Sequence, residues 1–553
     1  MVTRRFLEPR SGRGMFTDAQ PRSRPTIVLL TIDMVPPDFY RPGETNSGLA
    51  STPTLDRLRA EGVTFTNAFT NSPLCGPSRA SYLTGRYPYV IVNTERAHDG
   101  WAVTLRPEDV IFPEYLKAVG YVTKHVGKSH IGPEKFIEAF GEADVPWDRW
   151  APPMQDDDGY VAYLRRLLPS TRSGRGQSAE PRVTQPTYRN PVRGLRFDRK
   201  TPGNLYGGFV TQADGSPFPE GATYLAYQAE LVRERLDGAM EQGLRDGAPL
   251  YLQVDFFAPH QPFMIPAGYE KRAEALRKRV KVPASFHEVR KHDFRRLPGE
   301  PPVYELYRRQ HGLYGEATVR DYILFHALQM ELLDRALGNV LAALEERGLY
   351  DQALVILIAD HGEMNGENAL VDKGVYGHPR VARVPFIAKL PGSSCAGAQV
   401  RTPICLLDLA PTVLEAAGVS PAARLDGLSL WPLLRRRGSR AALAKRTFLF
   451  EACWHVVPNP AVSIQWQKSA TEHYFYTYNL TSECDELYDL SDPTYRNLAP
   501  DPAYRKVTHE MVLRLAHFLQ ADPRWRCYWH PLRIARAEHL PLEPGDYQMF
   551  RPE

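Results

Sequence analysis

Apolar positions in this chain fall into short unbroken runs that alternate with longer stretches of helical spacing. Ile27-Val28-Leu29-Leu30-Thr31-Ile32 is nearly continuous and rich in β-branched residues. A run of this kind predicts a central strand of a parallel sheet, covered on both faces. Tyr121 to Val126, Leu250 to Phe257 and Ala353 to Ala359 read the same way. Between the last two, Ile323, Ala327, Met330, Leu333, Leu337, Val340 and Leu344 recur at helical spacing, so Val319 to Leu349 predicts an amphipathic helix. Thr52 to Glu61 and Pro113 to Val119 predict shorter helices. Strand–helix alternation of this order implies the α/β class, with a large, mostly parallel sheet sandwiched by helices.

Polar residues sit where the predicted strands end. Asp33 follows the first run, Ala258-Pro259-His260 the third, and Asp360-His361-Gly362 the fourth. Open α/β sheets bind their ligands at the carboxyl ends of strands, so these residues are the first candidates for chemistry.

Two regions break the alternation. Residues 169–221 are dense in Arg, Pro, Gly and Ser, a long insertion that reads as a surface excursion or as a wall for an anionic substrate. After the basic stretch Leu434-Arg435-Arg436-Arg437-Gly438 the chain gains aromatics, among them Phe448, Phe450, Trp454, Tyr474, Phe475, Tyr476 and Tyr478. They predict a smaller C-terminal α+β subdomain with an antiparallel sheet and a helix from about Ala503 to Leu519. The expected organisation is a flexible leader over 1–25, a catalytic unit over 26–438, and a C-terminal subdomain and tail over 439–553.

Composition narrows the function classes. With 553 residues, 43% hydrophobic and 24% charged, the chain is long enough for two or three domains. A formal charge of +4 gives no case for nucleic acid. Six cysteines, none in a Cys-x-x-Cys pair, give neither a disulfide framework nor a zinc cluster. The Arg- and Pro-rich segment before Thr26 lacks the apolar core of a secretory signal, and no run approaches the roughly twenty apolar residues needed to span a bilayer. A cytoplasmic enzyme without membrane attachment is the expectation.

The most informative segment is Asn71-Ser72-Pro73-Leu74-Cys75-Gly76-Pro77-Ser78-Arg79-Ala80-Ser81-Tyr82-Leu83-Thr84-Gly85-Arg86. It resembles the activation motif of type I sulfatases, members of the alkaline-phosphatase-like superfamily. In that family the cysteine is oxidised to formylglycine by a dedicated maturase, and the aldehyde hydrate attacks a sulfate ester. A serine would leave a stable sulfate ester after attack, whereas a geminal diol attacks through one hydroxyl and collapses through the other. Further segments extend the likeness to roughly residues 26–520. Asp426-Gly427-Leu428-Ser429-Leu430 and Glu486-Leu487-Tyr488-Asp489-Leu490 with Asn497-Leu498-Ala499 are similar to its C-terminal steps.

The resemblance assigns roles to the candidates. Asp33, Cys75, Asp360 and His361 would form a divalent-metal site, and Arg79 would support the modified residue. Gly127-Lys128-Ser129-His130 is similar to a Gly-Lys-x-His motif in which Lys128 contacts sulfate and His130 manages the second hydroxyl. His260, in Pro259-His260-Gln261-Pro262-Phe263, would bind sulfate and protonate the leaving alcohol. Lys373, twelve residues after His361, would bind sulfate. Asn93 and His378 are weaker polar candidates. The chain departs from a common sulfatase pattern, two adjacent aspartates after the first strand and Asp-Asn late in the chain, by carrying Asp33-Met34 and Asp360-His361. An imidazole in an oxygen set leaves the metal open between calcium, magnesium and manganese. The Asp-His pair is also similar to phosphonate monoester hydrolases, so a phosphonate or phosphodiester hydrolase stands as the alternative, and an unconverted inactive homologue as a third. The natural alcohol and the oligomeric state, a homo-oligomer included, stay open.

Overall fold

A computed structural model describes residues 24–91, 105–141, 152, 157–168, 207–210, 218–311, 313–374, 376–435, 443, 446–455, 457–482 and 484–525. Most of the Arg-rich insertion, Asn93, the leader and the tail beyond Trp525 lie outside the described residues.

The chain opens on β1 (Thr26–Asp33), buried at all but its first residue. It continues through α1 (Pro53–Glu61), β2 (Val63–Phe65), α2 (Cys75–Thr84), α3 (Phe112–Ala118) and β3 (Val122–Gly127). Then follow α4 (Tyr224–Glu241), β4 (Leu250–Pro259), α5 (Glu316–Glu345), β5 (Ala353–Ala359), β6 (Phe386–Lys389) and β7 (Ala398–Val400). These seven strands form one sheet in the order β7-β2-β6-β5-β1-β4-β3. Pairings β3–β4, β4–β1, β1–β5 and β2–β7 are parallel, while β6 is antiparallel to both β5 and β2. The reversal has a local cause. The chain leaves β5 at its carboxyl end, wanders over that same end through residues 360–385, and re-enters without a crossover helix, so β6 must run backwards. The helices divide into two groups that pack among themselves: α5 with α4, α1 and β4, and α2 with α3 and the segment Leu409–Ala416.

Side chains explain which strands are central. Every residue of β4 and β5 is buried, as expected for strands covered on two faces. The amphipathic reading of α5 is exceeded, since residues 322–334 are buried all round the helix. It runs through the molecule between sheet and outer helices.

A second sheet follows: β8 (Leu449–His455), β9 (Val457–Gln467), β10 (His473–Asn479) and β11 (Glu486–Asp489), antiparallel throughout and in sequence order. Helix α6 (Arg505–Ala521) packs on β9 and β10. Its apolar cluster takes in Phe69, Leu74, Tyr87, Tyr304 and Tyr376 from the earlier part of the chain. Among the described residues no helix is long and apolar enough to cross a membrane.

Candidate active site

Four neighbouring strands deliver their last residues to one edge. Asp33 ends β1 in register with Pro259 of β4, Ile32 pairs with Ala359 before Asp360, and Gly127 pairs with Asp255 before Lys128. Glycine at 127 is required by this approach: with φ 119, an added Cβ would lie 2.0 Å from the Asp255 carbonyl oxygen. That close contact lets Lys128 N–H donate to the same oxygen, at 3.2 Å, and aims the lysine into the rim.

Cys75 is the first residue of α2. Leu74 is extended, and Pro77 is tolerated because first-turn amides have no intrahelical partner. The helix ends at Gly85 in the left-handed conformation, its N–H donating to Ser81. The Cys75 thiol is thus held at a helix amino end, where a negative charge is favoured.

Around it the structure brings together every predicted metal candidate. Cys75 Sγ lies 3.1 Å from His361 Nε2 and 3.7 Å from Asp33 Oδ1. The ligand atoms of Asp33, Cys75, Asp360 and His361 all fall within 4.8 Å of one another, and all four residues are buried. His361 Nδ1 stands 3.0 Å from the Gly362 carbonyl oxygen, to which it donates, so Nε2 faces the cluster. Lys128 Nζ donates to Asp33 Oδ2 at 2.6 Å and Arg79 Nε to Asp360 Oδ2 at 2.9 Å. Asp33 is therefore fixed through Oδ2 and turns Oδ1 to Cys75, while Asp360 is held at both oxygens, its Oδ1 accepting the Met34 and His361 N–H groups at 3.2 and 2.9 Å. Two carboxylate oxygens, one imidazole nitrogen and the residue-75 side chain in a buried nest fit a divalent cation.

Charge sets the ionisation states. Burial disfavours the Cys75 thiolate, but Lys128, Lys373 and His361 outweigh it and hold the thiol well below its ordinary range. Asp33 is lowered in the same way: burial and Cys75 raise it, and Lys128, His260 and Arg79 together win. Asp360 moves up, through burial and through Asp33. Burial opposes a proton on His361, yet Asp360 and Cys75 raise it to about 9. Anion density that draws a proton so strongly draws a divalent cation as well, with release of that proton.

The sulfate-handling candidates flank the nest. His260 directs Nδ1 to the Gln261 carbonyl oxygen at 2.6 Å, and its Nε2 meets Lys373 Nζ at 2.7 Å. His130 takes a left-handed backbone (φ 59) and lies close enough to Cys75 to favour its thiolate. Burial first, then Lys128, keeps its imidazole neutral by lowering its pKa. Arg79 acts at one remove from Cys75. Its guanidinium bonds Asp360 and the Lys128 carbonyl oxygen and faces Asp255 at 3.3 Å. His378 does not join the site; its Nδ1 accepts the Arg380 N–H and its ring packs on Tyr488 and Tyr495.

Sequence reading missed the residues behind this rim. Asp255, buried in β4, accepts from Gln253 at 2.7 Å, lies 2.9 Å from His125 Nε2, and pairs with Arg79. The available signal was a charged residue inside an otherwise apolar strand, which needs a partner when buried. Glu363, two residues beyond His361, is likewise buried and bonded to Tyr322 and the Asp372 amide.

A buried cysteine in a cluster that could hold a metal ion, with Lys128, Lys373, His130 and His260 about it, has the makings of a site for splitting an anionic ester. Comparison with known proteins agrees with that class. The sulfatase family model matches residues 25–419, and the model of the N-sulphoglucosamine sulphohydrolase C-terminal region matches residues 366–521. The chain belongs to the sulfatase family. It is 26% identical to the multifunctional alkaline phosphatase superfamily protein PehA of Trinickia caryophylli, over 90% of this chain and 96% of that one. Identity to an arylsulfatase of Clostridium perfringens is also 26%, covering 75% of this chain and 79% of the relative. Among solved structures, a phosphonate monoester hydrolase from Silicibacter pomeroyi aligns with a TM-score of 0.64 at 18% identity, covering 90% of this chain and 95% of that one. These likenesses establish an alkaline-phosphatase-like fold with a C-terminal antiparallel sheet.

Proposed function

We propose that this enzyme hydrolyses a sulfate ester to an alcohol and inorganic sulfate through a hydrated formylglycine made from Cys75. The observation that carries the reading is the Cys75 side chain at the head of α2, within one buried nest with Asp33, Asp360 and His361. A formylglycine-generating maturase, using an external oxidant, would convert the thiol to the aldehyde. Its hydrate supplies two hydroxyls on one carbon, so that sulfur can be taken up by one oxygen and sulfate released by proton loss from the other.

This chain's own residues do the rest. Asp33, Asp360, His361 and residue 75 would hold the divalent cation, which supplies positive charge against the repulsion between nucleophile and ester. The nitrogen donor favours manganese or another first-row ion over calcium. Lys128, paired with Asp33, and Lys373, paired with His260, would bind the sulfate oxygens. His260, whose Nδ1 donates to the Gln261 carbonyl oxygen, accepts from Lys373 Nζ through Nε2, and this His260–Lys373 pair would supply the proton that the leaving alkoxide takes. Neutral His130 accepts the proton whose loss releases sulfate and restores the aldehyde. Aryl sulfates and sulfated sugars are the substrate classes to test.

The Asp360–His361 pair favours a second reading, a phosphonate monoester or phosphodiester hydrolase, because such a pair is similar to that of phosphonate monoester hydrolases and one of these is a fold neighbour. Matched kinetics on 4-nitrophenyl sulfate and phenyl 4-nitrophenyl phosphonate separate the two, using enzyme co-expressed with the maturase and a Cys75→Ala control. We expect faster sulfate turnover, lost in the control. Dominant phosphonate turnover would install the second reading, and turnover of neither by fully converted, metal-supplied enzyme would remove both.

A further inference from the structure

His260 and Lys373 reach their 2.7 Å contact from different segments, the residue just after β4 and the loop after β5. A lysine side chain is long and flexible, so the contact depends on where its backbone is anchored. That backbone belongs to a loop with an unusual run of left-handed residues: Asn365, Asn368, Ala369 and Asp372 at φ 50, 52, 57 and 67. Such conformations are sparsely populated for residues other than glycine, and persist only where the surroundings over-determine them.

Glu363 supplies that determination. It is fully buried, and its Oε1 accepts the Asp372 N–H at 2.5 Å and the Tyr322 hydroxyl at 2.9 Å. Tyr322 belongs to α5, so the far end of the loop is tied to the longest helix among the described residues. A second rung joins Met364 N–H to the Asp372 carbonyl oxygen at 3.2 Å. Asp372 passes the constraint on: its Oδ1 accepts the Lys373 N–H at 2.7 Å and lies 3.3 Å from Lys373 Nζ.

We infer that Glu363 is the positioning residue for the proton-donating pair, clamping the Asp372 amide so that Lys373 meets His260. It touches no substrate. The inference rests on the reading of His260 as the acid that protonates the leaving alcohol. Its partner Tyr322 carries part of the same task from α5.

The test is the leaving-group dependence of kcat/KM across aryl sulfates from 4-nitrophenyl to phenyl, for wild type, Glu363→Leu, Glu363→Gln, Tyr322→Phe and His260→Ala. Rates are normalised to the aldehyde content at residue 75. A folding defect lowers every substrate alike, whereas a displaced acid penalises poor leaving groups most. In Glu363→Leu the loss on phenyl sulfate should exceed that on nitrophenyl sulfate by about tenfold or more, within the usual span of general-acid effects. Glu363→Gln keeps the acceptor oxygen and should restore the wild-type dependence. Tyr322→Phe should shift it in the direction of Glu363→Leu, by less, and it decides the matter if Glu363→Leu does not fold. Parallel losses across the series, or a Gln variant as impaired as Leu, would overturn the inference. If His260→Ala steepens the dependence and the Glu363 and Tyr322 variants do not, only the inference falls. If His260→Ala leaves it unchanged, the acid assignment falls and takes the inference with it.

Discussion

At the scale of single residues, the site is a charge balance closed inside the protein. Asp33, Arg79, Lys128, Asp255 and Asp360 are all buried, and each has an opposite charge within reach. Removing one member of such a set leaves its partners with less opposite charge, and breaking a buried pair in this way costs up to about 3–5 kcal/mol. Asp255→Ala should therefore destabilise the fold by an amount of that order in urea denaturation, although Asp255 is not a predicted metal ligand. A loss no larger than that of a surface substitution would show that Arg79 is satisfied without it. The metal assignment has its own consequence. Dialysis against a chelator should abolish sulfate turnover, and manganese should restore it better than calcium. Full activity in metal-free enzyme would contradict the assignment of Asp33, Asp360 and His361.

At the scale of elements, strands were more legible than the connections between them. The runs at β1, β4 and β5 announce themselves because both faces are buried, and the ends observed differ by no more than two residues from those expected. The reversed β6 and the short β2 and β7 carry too few residues for a periodic signal. The candidate site was legible for a different reason: Asp33, His260 and Asp360 follow predicted strands, and the resemblance to the sulfatase motifs supplied Cys75 and Lys128. Asp255 and Glu363 were not, because what matters about them is a partner distant in sequence. The C-terminal sheet adds a pH test. Burial drives Glu451 of β8 up to about 8 from the usual 4.5, although the Tyr89 amide donates to it at 3.2 Å. Between those two values the folded state holds a proton that the unfolded state has lost, so stability falls as pH rises across the window. Tm should decline from pH 5 to pH 8, and Glu451→Gln should flatten that decline. An unchanged slope in the variant would refute the ionisation assigned to Glu451.

At the scale of the whole molecule, the C-terminal sheet completes the catalytic part. Phe69 and Leu74, just before Cys75, share an apolar cluster with Phe448, Phe450 and Phe475. Phe69 stacks on Phe475 with ring centroids 6.2 Å apart, and Asn71 Nδ2 donates to the Leu449 carbonyl oxygen at 2.7 Å. The segment leading into Cys75 is thus packed against the C-terminal sheet as well. A chain ending at residue 438 should express as insoluble or unfolded protein, its apolar seam uncovered. A soluble, cooperatively melting truncation would show that the seam is dispensable.

The central claim is that an aldehyde at position 75 performs the chemistry. Its most direct test is the mass of the Cys75-bearing peptide across preparations of differing maturation, set against their sulfate turnover. The account predicts turnover proportional to the aldehyde fraction, reaching zero where the peptide carries only thiol. Full turnover from enzyme whose peptide retains the thiol would contradict it.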